Sequence, residues 1–239
     1  MRTATSLAAF LLLVACDEPA PPPASGSATS PWTAPSPADR PAGGGAAPPA
    51  SDAAAEPKAG PANWREVVSA ADASRLGRLD QAWRLARAEA EDKGFAGEVE
   101  ALGPLVDPNA GLAGRLQPAP GDYRCRTLKL GSNRPEGPGF VRSPWFRCTV
   151  ELTPGGDLVL ARTSGSQRTR GLLYPDTERR LVFVGAEAGG HDKGGRPAYG
   201  QTAERDQVGV FERVGPGRWR LAIPWPRVES KLELLELVR

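Results

Sequence analysis

The sequence predicts a mainly β protein of the α+β class, in which a short helical segment precedes an eight-stranded antiparallel meander. Three observations carry this reading. Residues 17–62 hold twelve prolines and almost no large apolar side chains. Residues 63–106 then space their apolar side chains at three and four, the period of a helix with one buried face. Beyond Pro118-Ala119-Pro120-Gly121 the period becomes two, that of strands.

The elements follow in chain order. Met1 and Arg2 give a short positive start, and Leu7 to Val14 is an apolar run. Eight such residues are too few to span a bilayer, which takes about 20, but they suit the core of a secretory signal. Leu13-Val14-Ala15-Cys16 closes the run and resembles the lipobox of bacterial lipoproteins. The resemblance implies a signal peptide over 1–15 and an acylated Cys16 that anchors the chain to a membrane. An ordinary signal peptide cleaved elsewhere is the alternative. The resulting address is the bacterial cell envelope, facing the periplasm, and Asp17 after the lipidated position favours the inner membrane.

Residues 16–62 then read as a Pro/Ala/Gly-rich tether with too little apolar surface to offset the entropy of ordering it. Fully extended at ~3.1 Å per residue it would reach about 140 Å. Residues 63–112 form the predicted helical segment. Asn63 and Glu66 are spaced as a capping box, and Asp72 caps or restarts the helix. Leu76, Leu79, Trp83, Ala86 and Ala90 line one face of a helix over residues 73–93, which Gly94 closes. A further helical stretch over 96–106 ends at Asp107-Pro108. Trp83 is read as a core residue rather than a ligand contact.

Residues 113–239 form the predicted β-domain. Alternation marks strands at 122–130, 145–153, 157–163, 167–174, 179–186, 207–214, 218–223 and 232–238. Turn signals separate them, among them Pro154-Gly155-Gly156, Pro175-Asp176-Thr177 and Gly215-Pro216-Gly217. Closure into a barrel would remove the exposed edges; two stacked sheets are the alternative.

With Cys16 taken by lipid, Cys125 and Cys148 remain, on strands expected to be neighbours. The periplasm is oxidising, so they are expected to pair; two buried free thiols are the alternative. A zinc site would need both of them, His191 and a carboxylate, at spacings that fit no compact zinc pattern, and no cofactor is implied.

Several quoted segments together resemble a known family. They include Asp72-x-x-Arg75-Leu76, Ala82-Trp83, Gly121-Asp122-Tyr123-Arg124-Cys125-Arg126, Trp145-Phe146-Arg147-Cys148, Gly171-Leu172-Leu173-Tyr174-Pro175-Asp176 and Arg218-Trp219-Arg220-Leu221. From about Asn63 to its end the chain resembles a proteobacterial family catalogued as domain of unknown function 4893. No activity comes with the resemblance.

The chemistry-bearing residues make no catalytic constellation. His191 lies in Gly189-Gly190-His191-Asp192-Lys193-Gly194-Gly195, which lacks phosphate-loop spacing. Ser166 is not in a nucleophile elbow. A net charge of +2 argues against nucleic acid as a partner. The helical segment carries −3 and the strands +6. The remaining candidates are basic and polar. Arg126, Lys129, Gln167 and Arg168 would form a cationic site if their strand faces line the barrel, and the wet side of a sheet if they do not. The function expected is therefore non-enzymatic: binding of an anionic small molecule or an envelope protein. The alternative is inhibition of a periplasmic hydrolase, a protease rather than a lysozyme, since lysozymes are commonly basic and would be repelled.

Overall fold

A computed structural model describes residues 63–189 and 198–239. The segments predicted as signal peptide and tether, Cys16 and His191 lie outside the described residues.

Asn63 opens the described chain by accepting a hydrogen bond from the Arg65 amide at 3.1 Å. The predicted capping box is not closed: the Glu66 backbone amide donates to the Asn63 carbonyl at 3.1 Å, but Glu66 is exposed and, among the described residues, its carboxylate takes no bond from the Asn63 amide. Helix α1 (Ala70–Gly77) is capped by Ser69, whose hydroxyl takes the Asp72 amide. This corrects the reading of Asp72 as the cap. Its carboxylate is instead buried, accepting from Arg75 at 2.6 and 3.0 Å and from the Tyr199 hydroxyl. The chain bends at Arg78, so the helix expected over 73–93 is divided into α1 and α2 (Leu79–Ala90). Gly94, at φ 88°, then turns the chain into α3 (Ala96–Glu100), a conformation that an L side chain resists.

Nine strands follow among the described residues: β1 (Gly121–Leu130), β2 (Phe140–Arg142), β3 (Phe146–Leu152), β4 (Leu158–Arg162), β5 (Arg168–Pro175), β6 (Leu181–Ala188), β7 (Asp206–Gly215), β8 (Arg218–Pro224) and β9 (Leu232–Val238). All pair antiparallel. β1 and β3 to β9 form a meander that β9 closes onto β1, an eight-stranded barrel, so the sheet is not split into a sandwich. β2 was not predicted. It covers β1 at Leu128–Leu130, beyond the point where β3 leaves β1 at Cys125 and Phe146.

Period-two alternation divides the side chains into lumen and outer wall. Tyr123, Cys125, Val150, Leu160, Leu173, Phe183, Phe211, Leu221, Leu235 and Leu237 share the lumen core. Phe183 is fully buried there, and paired Gly171 and Gly185 make room for its ring: a Cβ at either would stand 2.6 Å from its Cζ. Only glycine fits such an approach. The Cys125–Cys148 disulfide forms, joining β1 diagonally to β3 with the Cα atoms 5.8 Å apart.

The outer wall is apolar where helices cover it. Ala82, Trp83, Ala86 and Ala90 of α2 pack on Leu128, Leu130, Leu232 and Leu234, and Trp64 and Leu76 pack on Val182, Val208 and Val210. Burying this second face explains why the strands read as nearly continuous apolar runs. Trp83 is a core residue, 5% exposed, with the Arg220 guanidinium 4.9 Å from its ring centroid. Arg220 is fully buried. It donates to the carbonyls of Leu105 (3.0 Å) and Asp107 (2.7 Å) and to Glu212 at 2.5 Å, satisfying carbonyls at the end of the helical segment. Among the described residues no helix is long and apolar enough to cross a membrane.

Candidate functional site

Strand direction brings one set of ends together. The last residues of β1, β4, β6 and β8 and the first of β3, β5, β7 and β9 share one end of the barrel. There the lumen changes character. Alternation continues inward past the apolar core to Thr127 and Lys129 on β1, Arg162 on β4, Glu187 on β6, Gln207 on β7 and Glu233 on β9.

Two adjoining cavities open among these residues. The larger, about 550 Å³, lies where β1 and β3 part, and its lining includes Thr127, Lys129, Val141, Phe146, Arg162, Gln167 and Val228. The smaller, about 250 Å³, is lined among others by Glu187, Gln207 and Glu233. Lys129, Gln167 and Val228 line both. The Lys129 ammonium donates to Gln167 Oε1 at 3.0 Å and to the Glu229 carboxylate. Arg162 donates from Nη1 to Thr127 Oγ1 at 3.2 Å and from Nε to the Ser164 carbonyl at 3.0 Å, with its guanidinium over the Phe146 ring. Gln207 Nε2 donates to Glu187 Oε2 at 3.1 Å. That bond turns the amide so that Oε1 is left over. Oε1 is buried and finds no donor among the described residues.

The electrostatics follow from burial. Glu233 is 7% exposed. Desolvation of its charged form pushes its pKa up to about 7, with Lys129 pulling it down and Glu187 adding to the rise. Burial raises Glu187 as well, against Lys129 and Arg162. Burial lowers Arg162. No group of three metal-ligating side chains occurs among the described residues.

Of the four residues singled out from sequence, the structure brings Lys129 and Gln167 together at this site. It places the other two elsewhere. Arg126 faces outward, donating to Glu236 at 2.5 Å and stacking over Trp145 at 4.6 Å. Arg168 also lies on the outer face of β5, on the side that carries Tyr174 to the helical layer. Strand parity accounts for both: positions 126 and 129 differ by an odd number, as do 167 and 168, so the four cannot share one face. Sequence reasoning missed Arg162, Glu187, Gln207 and Glu233. Their signal was a polar or charged residue set in step with buried apolar neighbours, as Glu233 is with Leu235 and Leu237.

Neither the curated proteins nor the solved structures contain a match to the chain. A family model does match, over residues 64–237, which takes in the helices and the barrel strands up to the last residue but one of β9. The chain belongs to the family described as domain of unknown function (DUF4893).

Proposed function

We propose that this protein is a non-enzymatic binding module, held at the cell envelope through Cys16 and facing the periplasm, whose ligand is a small polar molecule seated in the polar end of the barrel. One observation carries the reading: the lumen end holds two adjoining cavities on which polar side chains from β1, β4, β6, β7 and β9 converge. Small-molecule sites have this composition, an apolar wall with a few placed polar groups. Phe146, Val141 and Val228 supply the wall. Lys129 carries three N–H donors, of which Gln167 and Glu229 take two. The third, with Arg162 nearby, suits a ligand carboxylate or phosphate.

Native mass spectrometry of the full chain, purified from its own envelope, tests this. A small-molecule adduct is expected, and it should be lost when Lys129→Met and Gln167→Leu are combined. An adduct unaffected by those changes would place the ligand elsewhere. Fractionation of Cys16→Ser tests the anchor: a soluble or unprocessed protein is expected, and a processed protein that stays on the membrane would refute it.

A further inference from the structure

We propose that the smaller cavity takes an ammonium group, so that the ligand of the polar end carries a primary amine. The inference rests on the binding-module reading and adds a ligand class to it. Three of the acceptors in the lining would receive the ammonium: the Glu187 and Glu233 carboxylates and the carbonyl of Gln207, a residue 7% exposed whose Oε1 is buried and unpartnered among the described residues; Glu204 and Asp206, and the cations Lys129, Arg205 and Arg227, line the cavity as well. The Gln207 amide donates to Glu187, which fixes the carbonyl as the group left without a donor. A buried acceptor without a donor opposes folding, and a ligand that supplies the donor relieves that cost on entering.

Each cation around the cavity already has partners within the protein, and Lys129 keeps one N–H donor beyond them. Lys129 is held by Gln167 and Glu229, and Arg162 by Thr127 and Ser164. Arg227 stands 3.7 Å from Asp72, and Arg205 has interactions of its own. An ammonium is compact and carries three donors, one for each acceptor.

The groups acting on Glu233 are Lys129 on β1, Arg162 on β4, Glu187 on β6, and Glu229 in the segment before β9. The two cations favour its ionised form and the two carboxylates oppose it. An entering ammonium joins the first group and draws the Glu233 proton off. Its affinity should therefore rise with pH across the range in which free Glu233 titrates, near 7.

Titration of the ¹⁵N-labelled full chain with n-butylammonium chloride and, separately, sodium butyrate tests the assignment. The Gln207 side-chain amide reports on the smaller cavity and that of Gln167 on the wall it shares with the larger. Butylammonium is expected to shift the Gln207 amide saturably, more tightly at about pH 8 than at about pH 6. Glu233→Gln should weaken it about tenfold without loss of fold. Shifts with butyrate alone would overturn the ammonium assignment and keep the cavity as a binding site. Shifts of neither amide with either probe would overturn the binding-module reading as well. Butylammonium binding that Glu233→Gln leaves unchanged would also overturn the assignment.

Discussion

The two ends of the barrel lumen use equivalent strand positions in opposite ways. At one end Tyr123, Val150, Leu158, Leu173, Leu181, Phe211 and Trp219 fill the lumen with apolar surface. The segment before β1 closes that end: Leu116 packs on the cluster, and its carbonyl accepts from Trp219 Nε1 at 2.8 Å. The Ala119 carbonyl likewise accepts from the Tyr123 hydroxyl at 2.6 Å. Both polar tips that the apolar end contains are thus matched. At the other end the same inward positions carry Lys129, Arg162, Glu187, Gln207 and Glu233, and an acceptor stays unmatched. Burial of charged and unpaired polar groups opposes folding. The proposed binding role accounts for the difference: the apolar end supplies stability, and the polar end gives some of it up.

The comparison can be broken most forcefully at the apolar core. Phe183→Ala should cost about 3–5 kcal/mol, read from urea unfolding, because rigid paired Gly171 and Gly185 cannot fill the space its ring leaves. A loss under 1 kcal/mol, within the range of surface changes, would show that the lumen is loosely packed. Replacing Cys125 and Cys148 together by serine should cost about 3 kcal/mol, the loop-closure value for a loop of this length, with ligand binding preserved. A smaller effect of about 1 kcal/mol is expected for Arg126→Ala. That change removes one of two arginines on Glu236, and Arg218 remains at 2.6 Å. Butylammonium binding should not change, since Arg126 stands on the outer wall; a weakened ligand would move the site out of the lumen.

Much of the barrel was legible in the sequence because alternation and turn residues are local signals. All eight barrel strands were read close to their observed bounds. β2 was missed because three residues are too short to show a period and lie among glycines, prolines and serines. The bend at Arg78 left no proline or glycine break of its own beyond Gly77, and the helix was read through it. The candidate site was legible only in part. Lys129 and Gln167 meet as expected, whereas strand parity puts Arg126 and Arg168 on the opposite faces of their strands. Glu233 and Glu236 sit in a strand apolar on both faces, so sequence could not say which of them looks inward. Only closure of β9 onto β1, with helices covering the outer wall, decides that.

The central claim is that the polar end is a binding site and not a polar network that holds the barrel together. Glu233 tests it most directly. Its carboxyl has a higher pKa folded, about 7, than its ordinary 4.5, so the folded protein takes up the proton more readily. Its favourable contribution is complete below the ordinary value and is lost as pH rises through the folded one. Urea unfolding of Glu233→Gln beside the parent chain, at about pH 5 and about pH 8, reads this out. The variant should match the parent at the lower pH and exceed it at the higher by an amount up to about 3 kcal/mol. A variant less stable than the parent at the higher pH would mean that the Glu233 carboxylate is a structural tie, and would contradict the account.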